Sequence, residues 1–217
     1  SEITKCTNIF QQAEMYYQNN QFEKEIVYYK TFIQQNQGQE DPTKTGNLAE
    51  SYLRLGHIYR EQNQNPEALN NFMKALNIRK KTHGMNRTET AACYSCVGSI
   101  LIRLKFYTDA LECLFAAIRI NYLYSGKNTE VAINYCYIAD VYKTQGKFLS
   151  SVEYYNKALK IFEKISGKIH PDVALTLYRL GTTYRLQKNY AKALESFLAS
   201  LQIRKSIDGD NHPQAAL

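Results

Sequence analysis

The sequence predicts an all-α protein, a right-handed α-solenoid of five helical hairpins. Two observations support this prediction. A pattern of small and aromatic residues recurs along the chain at intervals of 42, 41 and 42 residues, and a period of this length is typical of stacked supersecondary units. Within each unit the apolar residues recur at steps of three and four, which is the period of an amphipathic helix.

Small residues mark both helices of each hairpin. In the first helix they are Gly56, Gly98, Ala139 and Gly181. Twelve positions later, in the second helix, they are Ala68, Ala110, Ser151 and Ala193. A Cβ limits how closely two helices can cross, so we expect the two helices of a hairpin to meet at these positions.

The spacing of these residues sets the expected repeat boundaries. Four repeats are expected at residues 46–84, 88–126, 129–167 and 171–209, with a weaker first copy at 3–38 and the start of a sixth at 212–217. In the first copy Ala13 matches the first helix, whereas Glu25 replaces the small residue of the second. Each hairpin exposes an apolar face that the next one covers, so residues 1–217 are expected to form a single solenoid domain. The unfinished sixth repeat suggests a fragment of a longer protein.

The loop GKIHPDVA, residues 167–174, places a histidine beside an acid. Gly167 suits a helix end with positive φ, and Pro171 suits the first turn of the next helix. Asp172 would lie near the positive end of that helix. Earlier loops at the equivalent place have no histidine, so the sequence favours a capping role for His170 over a catalytic or metal-binding one.

No pattern in the sequence indicates catalysis, a cofactor or a metal. There is no glycine-rich phosphate loop and no nucleophile elbow. Cys93 and Cys96 form one pair without a second pair or a histidine pair, which makes a poor zinc site. The five cysteines lie in apolar helical patterns and are expected to be buried thiols. They are Cys6, Cys93, Cys96, Cys113 and Cys136.

The net charge of +7 favours an acidic partner. Part of that charge comes from cations at helix C-termini, where they complement the helix dipole. Nucleic-acid binding is not expected. Helical-repeat RNA-binding proteins read bases with residues at regular positions of each repeat, and the matching positions here are irregular. A membrane span is not expected either, because no segment reaches the roughly 20 apolar residues that one requires.

The repeat pattern resembles the tetratricopeptide repeat family. The matching positions in the second and fifth repeats are Tyr52, Leu55, Gly56, Tyr59, Ala68, Phe72, Ala75, Gly181, Tyr184, Ala193 and Phe197. A period near 42, longer than the usual 34, resembles the subclass found in kinesin light chains and nephrocystin-like proteins. The resemblance implies a non-catalytic scaffold for protein interactions, in which the first helices line a groove for an extended peptide or a partner helix.

Removing the packed positions of the first helices leaves a stripe of candidate groove residues. They are Leu53, Arg54, His57, Arg60, Ser99, Ile102, Arg103, Tyr137, Asp140, Lys143, Tyr178, Arg179, Thr182 and Arg185. Six of them are cationic, and arginine is suited to carboxylates. The stripe therefore predicts an acidic or carboxylate-ended peptide ligand. The alternative is a solvated groove without its own ligand. The paired asparagines of kinesin light chains are absent, so their cargo specificity is not expected.

Two other functions are compatible with this sequence. The chain could be a structural block of a large cytoskeletal or ciliary complex, or a regulatory module of an enzyme encoded elsewhere in a longer protein. We expect a cytoplasmic location, and the composition, rich in Asn, Gln, Lys and Tyr, leaves a ciliary or cytoskeletal placement open.

Overall fold

The described part of the computed structural model covers residues 22–36, 38, 42–83 and 88–208. It contains nine helices and no strand, which confirms the all-α prediction. The helices are α1 Phe22–Asn36, α2 Pro42–Glu61, α3 Asn65–His83, α4 Thr88–Arg103, α5 Tyr107–Tyr124, α6 Thr129–Thr144, α7 Phe148–Ser166, α8 Pro171–Leu186 and α9 Tyr190–Asp208. The expected first helix of the first repeat, the start of the sixth repeat, Cys6 and the loop residues Gly84 and Gly209 lie outside the described residues.

Neighbouring helices pack against one another in chain order, as expected for a helical-repeat solenoid. In the first of two compact units, which ends at Cys113, α1 packs on α2, α2 on α3 and α3 on α4. In the second unit, which begins at Leu114, α6, α7, α8 and α9 form the same kind of series. The single domain expected for residues 1–217 stays a prediction.

The helices of a hairpin cross where the sequence predicts a small residue. A Cβ added to Gly56 would lie 2.5 Å from the ring of Phe72, which is fully buried. A Cβ on Gly181 would lie 2.8 Å from the ring of Phe197 and 3.2 Å from the carbonyl oxygen of Ala193. The close approach predicted for these two columns is therefore confirmed in the second and fifth repeats.

The loop before α8 has the structure that its sequence predicts. Gly167 has φ of 82° at the end of α7. His170 is the N-cap of α8, and its Nδ1 accepts a hydrogen bond from the backbone N–H of Asp172 at 3.2 Å. Pro171 occupies the first turn. The capping role of His170 is confirmed.

One feature of the hairpins was not predicted. The turn between the two helices places a residue in the left-handed region at Asn63, Lys105, Gly146 and Lys188, with φ of 60°, 66°, 73° and 62°. The following N–H then bonds back to the helix; for example, Gln64 N–H donates to the carbonyl of Tyr59 at 2.8 Å. In the four hairpins whose turns lie within the described residues, the first helix therefore ends in the same way, although only one of the four residues is glycine.

The helix α2 begins earlier than the expected boundary at residue 46. It starts at Pro42, because a proline at the first helical position needs no hydrogen bond from its nitrogen and has a helical φ. Across the described helices, none is both long and apolar enough to span a bilayer.

Candidate functional site

Three predicted groove residues of α2 lie around one cavity in the first unit. Arg54, His57 and Arg60 line a space of about 230 Å³, together with Glu25 of α1 and with Glu61. Residues 54, 57 and 60 follow one another at one-turn spacing, so they share a face of the helix. The fourth candidate on this helix, Leu53, packs against the apolar core of the first unit instead.

Glu25 is an ionisable group buried in the wall of this cavity. Only 1 % of the surface of Glu25 is exposed to solvent, and its Oε2 makes no hydrogen bond with another described residue. Burial raises the pKa of Glu25 to about 7, although Arg54 acts in the opposite direction. The candidate stripe omitted this residue. The signal was present in the sequence, because Glu25 stands in a column that holds alanine or serine in the other repeats.

His57 is a neutral side chain at physiological pH. Burial lowers its pKa to about 4, and the charges of Arg60 and Arg54 act in the same direction. Its ring meets the ring of Phe72 edge-on, with 5.1 Å between centroids. Its Nε2 lies 3.9 Å from Sγ of Cys96 on α4. His57 can therefore offer hydrogen bonds to a ligand but no positive charge.

The cations of the first unit differ in how they are held. The Nε of Arg54 donates to Glu50 Oε1 at 3.0 Å, and Nη2 of Arg103 donates to Oδ1 of Asn63 at 2.6 Å. Arg60 forms no side-chain hydrogen bond or ion pair with another described residue. Arg60 is therefore the cation in this cavity wall that is open to an incoming carboxylate.

The two candidates from α4 besides Arg103 take part mainly in packing. Ser99 is buried, and its hydroxyl donates to the carbonyl of Cys96 at 2.8 Å. Ile102 is half-buried against the core of the first unit. These side chains offer little surface to a ligand.

In the second unit Asp140 joins three helices. Its carboxylate accepts hydrogen bonds from Nζ of Lys143 at 2.6 Å, from Nη1 of Arg179 on α8 at 2.9 Å, and from the hydroxyl of Tyr155 on α7. Tyr155 is fully buried, and burial together with Asp140 raises the pKa of its phenol. The predicted acid and two predicted cations are thus brought together, and the acid offsets one of the two charges.

Arg179 also lines a cavity of about 210 Å³ between α6 and α8. Tyr137, another candidate, lines the same space. A guanidinium has five N–H donors, and Asp140 takes one of them. Arg179 is therefore held in place with donors left for a ligand.

The remaining candidates of α8 do not form one cluster. Tyr178 is half-exposed and packs on Phe197 with 5.4 Å between ring centroids, under the guanidinium of Arg204. The hydroxyl of Thr182 donates to the carbonyl of Arg179 at 2.6 Å. Arg185 is exposed and has no ion pair with another described residue.

The four cysteines within the described residues are partly or fully buried. Cys93 and Cys136 are buried, whereas Cys96 and Cys113 are half-buried. Burial raises the pKa of Cys93 to about 12, so its thiol stays protonated at neutral pH. Within the described ranges, no three His, Cys, Asp or Glu side chains are grouped to hold a metal ion.

The repeat pattern and the hairpin geometry agree with a comparison against known families. A family model described as "Tetratricopeptide repeat" matches residues 47–120, 89–164 and 172–217. The chain belongs to the tetratricopeptide repeat family. Repeats of this family typically form scaffolds for protein interactions.

The chain is similar to short segments of two much longer proteins. The "Clustered mitochondria protein homolog" of Xenopus tropicalis is 28 % identical over 135 residues, which are 62 % of this chain and 10 % of that protein. Its namesake in Candida albicans is 27 % identical over 127 residues, 58 % of this chain and 9 % of that protein. The chain thus spans about a tenth of the length of these relatives.

Solved structures with similar folds include BtubC (BKLC) from P. vanneervenii, with a TM-score of 0.80, 21 % identity and coverage of 96 % of this chain and 82 % of that one. A putative kinesin light chain repeat protein from Podosopora anserina has a TM-score of 0.73 and 16 % identity, covering 95 % and 98 %. A Rap protein complexed with competence and sporulation factor has a TM-score of 0.74 and 18 % identity, covering 93 % and 54 %.

Proposed function

We propose that this tetratricopeptide scaffold binds an acidic peptide or partner helix along the exposed face of its first helices. The observation that carries the proposal is the convergence of Arg54, His57 and Arg60 on one cavity of about 230 Å³. Arg60 is the unpaired cation there, and neutral His57 supplies a hydrogen-bonding group beside it. The Rap structure in complex with competence and sporulation factor supports a partner-binding role for this fold.

The two cations held by Asp140 have a different role in the proposal. Because Asp140 offsets one of their charges, the second unit attracts an acidic ligand less than a count of cations suggests. Its contribution is orientation: Asp140 fixes Arg179, whose remaining N–H groups meet a carboxylate in a defined geometry. Arg185 adds exposed charge without such an anchor.

Charge reversal of the unpaired arginines tests this proposal. The probe is a fluorescein-labelled glutamate-rich peptide with a free C-terminal carboxylate, and its amidated form is the comparison. Arg60→Glu and Arg185→Glu are each expected to weaken binding about tenfold or more in fluorescence anisotropy, since each turns attraction into repulsion. Binding should also weaken as salt rises.

The matched control is Arg119→Glu, which reverses an exposed arginine on α5, the second helix of its hairpin. It is expected to change the dissociation constant less than threefold. Equal losses from the control and the two test variants would mean that net charge alone drives binding, and an unchanged affinity in the test variants would contradict the groove proposal.

The location and the wider assembly belong to the same proposal. We place the scaffold in the cytoplasm, as a module of a larger complex. The longer clustered mitochondria relatives support a module of this kind, because their matched segment is about a tenth of their length. Fluorescence microscopy of the tagged chain with a mitochondrial and a ciliary marker tests the placement. A cytoplasmic, ciliary or cytoskeletal signal would agree with it, and accumulation inside mitochondria would contradict it.

A further inference from the structure

A larger cavity lies outside the candidate stripe of the first unit. It has a volume of about 430 Å³ and is floored by Tyr52, Leu55 and Tyr59 of α2. Side chains of α1 and α3 form its sides, and they are Lys30, Ile33, Gln34, Glu67, Asn70, Asn71 and Lys74. Its volume falls in the range of about 300–1,000 Å³ that small-ligand sites occupy.

The fourth repeat shows what fills the equivalent space. Moving 83 residues along the chain takes Gly56 to Ala139, Tyr52 to Tyr135 and Tyr59 to Tyr142. Three positions of the repeat pattern therefore fix the alignment of the two repeats. The same step takes two further cavity residues, Asn71 and Lys74, to Tyr154 and Lys157.

Tyr154 lies among the side chains that match the cavity walls. Its ring stacks on Tyr142 with 5.5 Å between centroids and 26° between planes, and lies 5.7 Å from the ring of Tyr135. The Nζ of Lys157 stands 4.5 Å from the centre of the Tyr154 ring. Two tyrosines and a lysine thus surround one aromatic ring in the fourth repeat.

The second repeat keeps these surroundings without the ring. Asn71 is short, and its Nδ2 donates a hydrogen bond to the carbonyl oxygen of Glu67 at 2.8 Å. Lys74 Nζ lies 5.4 Å from the ring centre of Tyr52, and Lys30 Nζ lies 5.8 Å from that of Tyr59. We propose that this cavity binds a tyrosine or phenylalanine side chain of an acidic peptide, in the place that Tyr154 takes in the fourth repeat.

The charge of the cavity wall supports an acidic peptide. Lys30 and Lys74 stand on opposite sides, on α1 and α3, and neither is in an ion pair with another described residue. Among the described lining residues, Glu67 is the one that carries a carboxylate. A ring seated on the tyrosine floor gains stacking and cation–π contacts, and acidic residues on both sides of it meet the two lysines. This site shares no lining residue with the 230 Å³ cavity, so it goes beyond the proposed groove function.

The proposal can be tested with a substitution that places a tyrosine ring in the cavity. Asn71→Tyr restores the ring that the fourth repeat carries, and Asn77→Tyr is the control, an exposed asparagine of the same helix that does not line the cavity. The probe is a fluorescein-labelled peptide with the core Glu-Glu-Tyr-Glu-Glu, and a second probe has alanine in place of tyrosine. Circular dichroism verifies that each variant is folded.

Burial of an aromatic ring predicts an effect of about tenfold or more on the dissociation constant. The tyrosine probe is expected to bind the unaltered chain at least about tenfold more tightly than the alanine probe. Asn71→Tyr should remove that preference and Asn77→Tyr should keep it. Equal binding of the two probes, or an unchanged preference in folded Asn71→Tyr, would overturn the proposal.

A charge reversal in the cavity wall gives an independent test if Asn71→Tyr does not fold. Lys74→Glu is expected to weaken the tyrosine probe about tenfold, and Lys81→Glu, at an exposed site outside the cavity, is expected to leave it unchanged. Equal effects of the two variants would overturn the proposal. Arg60→Glu separates this site from the groove, because it should weaken the glutamate-rich probe and leave the preference for tyrosine over alanine intact.

Discussion

Glu25 and His57 are titratable residues that line the same cavity and respond to pH in opposite senses. The pKa of Glu25 rises from 4.5 to about 7, so the folded chain keeps a proton there that the unfolded chain releases. Its contribution to stability is complete below about pH 4.5 and is lost as the pH rises through 7. The pKa of His57 falls from 6.5 to about 4, so its contribution is complete above about pH 6.5 and is lost as the pH falls through 4.

Replacing Glu25 should therefore make the pH dependence that His57 contributes to stability directly measurable. In Glu25→Gln, the free energy of unfolding is expected to rise with pH between about 4 and 6.5, more steeply than in the unaltered chain. The unaltered chain should lose stability relative to the variant as the pH rises from about 4.5 to 7, and above pH 6.5 Glu25 is the one of these two groups whose contribution still changes. Urea unfolding at pH 4.5, 5.5, 6.5 and 8 measures both slopes. Parallel curves for the two proteins would show that Glu25 is not buried in its neutral form.

Gly56 is a single position whose size decides how two helices meet. Gly56→Ala is expected to lower the free energy of unfolding by about 1–3 kcal/mol, because the new methyl would overlap the buried ring of Phe72. Gly46→Ala, in the same helix, has open space around its added Cβ and should be neutral or stabilising by up to about 1 kcal/mol. Thermal and urea unfolding of both variants gives the comparison, and equal effects would argue against a size limit at the crossing.

At the scale of elements, the hairpin turns share one backbone conformation but not one residue. Gly146 adopts it at little cost, whereas Lys105 and Lys188 hold an L side chain in the left-handed region. Lys188→Gly is expected to stabilise the chain by about 1 kcal/mol. Gly146→Ala is its counterpart and should destabilise by a similar amount. Opposite signs in urea unfolding would confirm the turn geometry, and the same sign for both changes would contradict it.

The elements were predictable from the sequence where a contact repeats. Gly56 meets Phe72 and Gly181 meets Phe197, sixteen residues later in both cases, so one packing rule recurs with the period and shows in the sequence. The start of α2 at Pro42 does not follow from the repeat pattern, because the sequence just before it does not recur in the other repeats. The left-handed turns were missed because Asn and Lys stand where glycine would have been the signal.

The candidate site was less predictable, because its chemistry depends on pairs that do not recur. Asp140 and Arg179 are 39 residues apart and meet across α6 and α8. Arg54 pairs with Glu50 within α2, and the predicted stripe did not include Glu50. The stripe located Arg60 and Arg185 as open cations, but the burial of Glu25 requires knowledge of how α1 and α2 pack. Helical periodicity defines a face, whereas charge state depends on neighbours from other helices.

For the molecule as a whole, the repetition of one hairpin pattern makes each cavity a feature of its own repeat. The same repeat position carries Asn71, Cys113, Tyr154 and Ser196 in successive repeats, and the tyrosine is the bulkiest of the four. We expect a change in that one side chain to open or close a recess without altering the crossing at Gly56 or its equivalents. A family of such chains can thus vary what it recognises at one repeat while the others hold the architecture constant. For protein engineering, exchanging the residues at this position between two repeats should move the cavity from one repeat to the other. No loop would need to be rebuilt and no helix lengthened.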